Sequence, residues 1–568
     1  MSTNSLPSLP TTGTEEVTHS DLVSQLFAEA AQQFSGGTAA RTPEVPREIP
    51  GVSTLPDAGT SAVPSVHPST QPAAPKLAES GKTPSGAHSP DSGDSYAYGE
   101  PRCNGNYRPQ GNRPATKTAN ANPLLALTEN GPEAAPEFYF LRDARAAGKT
   151  PASCQSYPKN ATPVPKFDIE SVRRDFPALH QTVNGKPLIW LDNAATTHKP
   201  QAVLDATSQF YGRDNSNIHR AAHTLAARAT ELFEAGREKV RKFLGAADAK
   251  EIVFVRGTTE AINLVAQSYG RKNIGTGDEI IVSELEHHAN IVPWQLLAEQ
   301  VGASVRVIPI NDRGELILEE YVKLLGPKTK IVSVAHVSNS LGTVNPVEQI
   351  IALAHANGVP VLVDGAQSTP HLPVNVTALD ADFYVFSGHK IFAPTGIGAL
   401  YGKAALLESM PPWQGGGHMI RDVRFDKTTF QQAPEKFEAG TPDIAGVVGL
   451  GAAIDYLFTV GIPVIAAYEH ALLEYGTQAL ATTPGLRPIG TAANKASVLA
   501  FVIPGVSNES IAKHLDKHGI AVRAGHHCAM PAIRHFGLES SVRPSLAFYN
   551  TREEIDALVG ALRTLKRN

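Results

Sequence analysis

Cys528 sits in the stretch Ala521-Val522-Arg523-Ala524-Gly525-His526-His527-Cys528-Ala529-Met530-Pro531. A thiol between glycine, two histidines and proline reads as a nucleophile on an accessible loop, because the thiolate is the reactive form and neighbouring imidazoles favour it. The competing reading is a structural cysteine, which usually has apolar surroundings. Lys390 closes a second stretch, Phe383-Tyr384-Val385-Phe386-Ser387-Gly388-His389-Lys390. A lysine at the end of a buried strand is costly unless neutral or covalently used, and an imine to an aldehyde cofactor is one such use. An ordinary solvated lysine is the alternative. Asp364 ends Val361-Leu362-Val363-Asp364 and is followed by Gly365-Ala366-Gln367. A carboxylate there needs a partner to stay charged, and both a protonated pyridine nitrogen and a helix N-terminus qualify. Arg256-Gly257-Thr258-Thr259-Glu260-Ala261 leads into a helix over 261–265. Its backbone N–H groups and hydroxyls suit an anion, phosphate above all, although threonine at a helix start is also a common cap. The paired His287 and His288 invite a metal, but no carboxylate or thiol set at zinc spacing accompanies them, so no metal ligand is assigned.

These residues follow short apolar runs: Glu251–Val255, Glu279–Val282, Lys330–Val334 and Val359–Asp364. Such runs between amphipathic helices predict an α/β fold whose sheet is covered on both faces, with ligands beyond the strand ends. At 568 residues the chain has room for several domains. A formal net charge of −5 favours neither nucleic acid nor an anionic membrane as partner. Its three cysteines, Cys103, Cys154 and Cys528, are too few and too scattered for a disulfide framework, which fits a reducing compartment. The N-terminus lacks the basic start and apolar stretch of a signal peptide, and no run reaches the ~18 apolar residues of a membrane span. The expectation is a soluble, cytoplasmic protein.

Residues 1–165 differ in texture, holding half of the chain's 43 prolines among many Ala, Ser, Thr and Gly. Proline removes backbone donors and sparse apolar residues cannot offset the entropy of ordering, so a largely disordered extension is expected. Two islands interrupt it. One, at about 20–36, has Leu22, Leu26 and Ala30 at helical spacing; the other, at about 123–145, contains Leu124, Leu125, Phe138, Tyr139 and Phe140. Both suit docking onto another protein, and an undedicated linker is the alternative.

Gly-Thr-Thr, then Asp-Gly-Ala-Gln, then Ser-Gly-His-Lys, on successive strands, resembles the fold-type I pyridoxal-phosphate enzymes of aminotransferase class V. Arg523-x-Gly525-His526-His527-Cys528-Ala529-x-Pro531 resembles the signature of group II, SufS-type cysteine desulfurases. Further similarity lies in Asp192-Asn193-Ala194-Ala195-Thr196, Ile218-His219-Arg220, Gly415-Gly416-Gly417 and Gly440-Thr441-Pro442. The resemblance implies a large domain over 191–439 with a mostly parallel sheet, and a smaller α/β domain from 166–190 and 440–568. It implies that Lys390 binds pyridoxal 5'-phosphate covalently, Asp364 holds the pyridine N–H, and Gln367 bonds the ring hydroxyl. Thr258, Thr259, Ser387 and His389 would grip the phosphate, joined by Thr441 from the neighbouring subunit of a homodimer. His287 would cover the ring and relay protons. Arg543, assisted by Asn339, would fork the carboxylate of L-cysteine, with a structural ion pair as its alternative; Arg523, His219 and Arg220 would complete the substrate side. Sulfur would pass to Cys528 as a persulfide and on to a SufE- or SufU-like acceptor. Pro544 departs from the family pattern, which has a small non-proline residue there, and is expected to shift the loop of Arg543 slightly. The extension resembles that of the cysteine desulfurase cargo of family 2 encapsulin shells, implying a place inside such a nanocompartment.

Overall fold

The computed structural model describes residues 167–219 and 223–566. The extension with both islands, Cys103, Cys154 and Arg220 lie outside the described residues.

Seven strands form the main sheet: β1 (Ile252–Val255), β2 (Glu279–Ser283), β3 (Ser304–Ile308), β4 (Thr329–Ala335), β5 (Val361–Asp364), β6 (Phe383–Ser387) and β7 (Gly398–Gly402). Their order is β1-β7-β6-β5-β4-β2-β3. Only β7 runs antiparallel to its neighbours; the other pairs are parallel. The expected mostly parallel α/β sheet is thus the observed one. β5 starts at Val361 rather than Val359, after Pro360, which has no N–H to give to a ladder.

Successive strand residues point to opposite faces, so each strand feeds two cores. Val332, Val334, Val361, Val363, Tyr384 and Phe386 face one core. Ile280, Val282, Ile331, Leu362, Phe383 and Val385 face the other. On the first face lie helices α1 (Thr224–Leu244) and α3 (Ile444–Val460). They touch at Gly236, where a Cβ would come within 2.5 Å of Val447 Cγ1. Glycine is therefore required for this approach. On the second face lies α2 (Thr258–Val265), whose apolar side buries Ala261, Ile262, Leu264 and Val265.

A second, antiparallel sheet has the order β8-β9-β11-β10, from β8 (Arg487–Pro488), β9 (Phe501–Val502), β10 (Arg523–Gly525) and β11 (Ser541–Arg543). Leu472, Phe501, Leu515, Val542, Ile555 and Leu558 build its core together with Leu191. The chain before the main sheet reaches this region, because Ile189–Trp190 pairs in parallel with Ile520–Ala521. Among the described residues, no single helix is long and apolar enough to cross a membrane.

Candidate active site

A cavity of about 170 Å³ lies where the ends of β1, β2, β4, β5 and β6 meet the second sheet. Thr258, Thr259, His287, Asn339, Asp364, Gln367, Ser387, His389, Lys390, Arg523 and Arg543 all line it. Eleven side chains expected at one site are therefore brought together by the ends of five strands and by β10 and β11.

At the β1 end the chain enters α2 one turn earlier than its apolar pattern indicates, so both threonines are helical and Gly257 is the N-cap. Ser387 Oγ accepts the Thr258 N–H at 2.9 Å and donates to Thr258 Oγ1 at 2.9 Å. A Cβ on Gly257 would come 3.0 Å from that same Oγ. The glycine keeps the positive end of the helix open to an anion.

The Asp364 carboxylate, 5% exposed, accepts the Ala366 N–H at 2.9 Å. Burial pushes its pKa up, against the positive charge of Lys390 and that N–H. Lys390 is itself pushed down to about 8, chiefly by burial, with Asp364 pulling the other way and the guanidiniums of Arg543 and Arg523 adding to the depression. An amine must be neutral to attack an aldehyde. Uptake of pyridoxal phosphate by cofactor-free protein should therefore accelerate as pH rises through about 8, well below the ordinary lysine range of ~10.4; absorbance stopped-flow from pH 6.5 to 9.5 checks this.

Burial, followed by the charges of Lys390, His288, Arg523 and Arg543, holds His287 down at about 3. The ring is neutral at working pH, and its Nδ1 accepts the Ala289 N–H at 3.0 Å, so Nε2 carries the proton. His389 is held at about 4 by burial and by Lys390 and Lys199, with Nδ1 3.2 Å from Thr196 Oγ1. Gln367 is anchored by Nε2 donating to Ala194 O at 2.7 Å.

Arg543 ends β11, donates Nη1 to Asn339 O at 2.7 Å and Nη2 to Asp192 Oδ1 at 3.0 Å, and is 1% exposed. The ion pair weighed for this arginine is present. Even so, Arg543 Nε, Asn339 Oδ1 and His527 Nδ1 are buried with no hydrogen-bond partner. Three orphaned polar atoms on the wall of one cavity are what a polar ligand would satisfy. Pro544 leaves Arg543 in its strand and supplies a carbonyl to Leu499 N–H at 2.9 Å.

Cys528 is a free, half-buried thiol beside this cavity, and its charge bears on both Lys390 and Arg543. His527 and Cys528 have φ of +54° and +56°, two successive side-chain-bearing residues in the left-handed region. Such residues are strained and need fastening. Cys528 O accepts the His288 N–H at 2.7 Å, His527 O accepts from Asn339 Nδ2 at 2.6 Å, and Cys528 N–H donates to His526 Nδ1 at 3.1 Å.

Thr441 and His219 do not line this cavity. Thr441 joins Asn217, Ile218, Gly417 and His418 around a smaller cleft of about 90 Å³, where its Oγ1 accepts from Asn217 Nδ2 at 3.3 Å. His219 lies against His418, ring centroids 4.8 Å apart. Seven cavity residues were not singled out from the sequence, His527 being the one polar side chain among them. His527 stands inside the cysteine motif, and Ala194 and its neighbour Asp192 inside Asp192-Asn193-Ala194; the motifs were the available signal.

The family model "Aminotransferase class-V" matches residues 189–558. The chain belongs to this family. A class V relative, "Cysteine desulfurase" of Synechococcus elongatus, is 61% identical over 400 residues, 70% of this chain and 64% of that protein. "Probable cysteine desulfurase" of Vibrio cholerae is 52% identical, over 70% of this chain and 98% of its own length. The chain thus spans less than two thirds of the Synechococcus relative. Among solved structures, the cysteine desulfurase CsdA (S-sulfonic acid) of Escherichia coli matches with TM-score 0.65 and 45% identity, covering 70% of this chain and 97% of that one. The apo cysteine desulfurase of Thermococcus onnurineus matches with TM-score 0.66 and 37% identity, covering 71% and 98%. Class V members are pyridoxal-phosphate enzymes, and the cavity fits that group: an open helix N-terminus for its phosphate, a buried carboxylate for its ring nitrogen and a lysine of lowered pKa for its aldehyde.

Proposed function

We propose that this chain is a cysteine desulfurase of the group II, SufS-type branch, converting L-cysteine to L-alanine and keeping the sulfur on Cys528 as a persulfide. The observation that carries this is the placement of a lysine of lowered pKa in the cavity and a free thiol beside it, next in the chain to the cavity residue His527. Bound through Lys390, pyridoxal phosphate supplies an electron sink for negative charge developing at the substrate α-carbon. Asp364 holds the proton on the ring nitrogen, while Thr258, Thr259, Ser387 and His389 hold the phosphate and Gln367 the ring hydroxyl. Arg543 offers its unpartnered Nε to the substrate carboxylate, with Nη2 already paired to Asp192 and Asn339 beside it. Lys390, its pKa lowered chiefly by burial, would take the α-proton and later return one to the α-carbon. Cys528 attacks the substrate sulfur as thiolate: the S–S bond forms, the Cβ–S bond breaks with its electron pair going to carbon, and that carbon is protonated. His287, carrying its proton on Nε2, faces the cavity and can relay it.

With a dithiol reductant present to cleave the persulfide, L-cysteine without any keto-acid acceptor is expected to yield alanine and sulfide in equal amounts. Turnover that required a keto acid would make the chain an aminotransferase, and a large preference for selenocysteine would make it a selenocysteine lyase.

The enzyme works as a homodimer, in which Thr441 and His219, absent from their own chain's cavity, serve the partner's. A SufE- or SufU-like acceptor brings its thiol to Cys528. Residues 1–165 act as the docking arm for an encapsulin-type shell, a reading supported by their composition and their two apolar islands. Deleting 1–165 should leave kcat and KM for L-cysteine within about twofold, since no residue assigned to the chemistry lies there, and should abolish co-purification with a co-expressed shell. Equal loading of the truncated enzyme would remove the docking role.

A further inference from the structure

His287-His288 is no zinc motif by spacing, yet the fold supplies the missing thiol. His288, from the turn after β2, and His526, two residues before the cysteine, each bring one imidazole nitrogen into a group with Cys528 Sγ, and all three atoms lie within 4.8 Å of one another. The two rings are 5.5 Å apart between centroids and inclined by 30°. All three residues are half-buried, partly shielded from water yet reachable. In a tetrahedral zinc site with bonds of about 2.0–2.3 Å, neighbouring ligand atoms stand about 3.4 Å apart. The group therefore needs to close by little more than an ångström. We propose that His288, His526 and Cys528 form a binding site for a thiophilic divalent cation of the zinc class, with the fourth position left to water.

One competing use of these histidines has to be weighed. His288 Nε2 accepts the Met530 N–H and His526 Nδ1 accepts the Cys528 N–H, both at 3.1 Å. A neutral imidazole has one lone pair. The cation either takes these same nitrogens or requires the ring proton to move across, and in both cases two backbone N–H groups lose their acceptors. Each such bond is worth about tenfold or less in an equilibrium constant. A thiolate with two imidazoles binds zinc by many orders of magnitude, so the exchange favours the metal. The titratable groups recorded around His288 are His287, His526 and Cys528.

Binding is a simple exchange: the Cys528 S–H proton leaves, a sulfur–metal bond forms, and no electron is transferred. Its consequence rests on the reading of Cys528 as sulfur acceptor. With the sulfur electron pair engaged by the cation, attack on the substrate is blocked, while Lys390, Asp364 and the anion end of the cavity stay free. The cation acts as a reversible lock on the second half of the reaction alone.

The test uses the full-length, cofactor-loaded protein, stripped of metal and kept free of L-cysteine, which would chelate the probe. Calorimetry with Zn²⁺ should find one site per chain with proton release, and bound Zn²⁺ should protect Cys528 from iodoacetamide. Co²⁺ should give the intense visible bands of a four-coordinate, thiolate-ligated ion. Cys528→Ala and His526→Ala should each weaken Zn²⁺ binding by roughly 100-fold or more, because even outer partners of a metal site commonly cost 10–100-fold. His288→Ala also removes the acceptor for the Met530 N–H, so His288→Gln, which keeps an acceptor without an imidazole, serves as the second variant and should lose binding equally. Zn²⁺ affinity unchanged in Cys528→Ala, or retained in both His288→Gln and His526→Ala, overturns the site, as does a weak six-coordinate Co²⁺ spectrum. The cofactor spectrum is recorded separately with L-alanine. A protein that binds Zn²⁺ as described but shows no response to L-alanine keeps the metal site and loses the desulfurase reading.

Discussion

Replacing Lys390 with alanine is expected to lower alanine formation from L-cysteine by roughly four orders of magnitude or more, the scale on which loss of a covalent catalytic group is felt. Two functions leave with the one amine. On the proposed function it attaches the cofactor and, as the base of lowered pKa, removes the α-proton; among the described residues no other lysine lines the cavity. Thr258, Ser387 and Asp364, the proposed phosphate and ring contacts, are untouched, so the variant should still bind pyridoxal phosphate, but lose it on gel filtration where the parent stays coloured. A variant that retained most of the parent rate, followed by alanine production, would remove Lys390 from the chemistry.

Cys528→Ala should cause a loss of turnover on the same scale while leaving the early steps in place. Its spectrum should still change on addition of L-cysteine, because Lys390, Asp364 and Arg543 are untouched, but neither alanine nor sulfide should accumulate. Mass spectrometry of the parent after one turnover should find the added sulfur on the peptide containing Cys528. The other two thiols, Cys103 and Cys154, lie among residues 1–165. Alanine release from Cys528→Ala at the parent rate would show that sulfur leaves by another route.

The main strands were legible because a buried parallel strand reads as an unbroken β-branched or aromatic run, as in Val361–Val363 and Phe383–Phe386. β7 carried no such signal. Gly398-Ala399-Leu400-Tyr401-Gly402 is bounded by glycines and lacks β-branched residues, and its place comes from pairing with β1 and β6 on either side. The cavity residues were legible as motifs, since each sits within a few residues of a strand end. What no motif carries is contact between distant segments. Met530 N–H meets His288 across 242 positions, and Arg543 meets Asp192 across 351. These contacts decide that the arginine is already paired on one edge and that the thiol has two imidazole neighbours. Thr441 and His219 stand apart: the resemblance gave Thr441 to the neighbouring subunit's site, and within one chain Thr441 lies in a separate cleft and His219 against His418.

If Cys528 carries sulfur as proposed, the turn at His527 and Cys528 bears on how that sulfur would leave. Two successive left-handed residues, fastened through His288, Asn339 and His526, give the sulfur a fixed address instead of a swinging arm. Delivery then works like a lock-side quay: the ship must come alongside. On the proposed function, the burden of recognition would fall on a receiving protein, whose thiol would have to be presented at a half-buried berth.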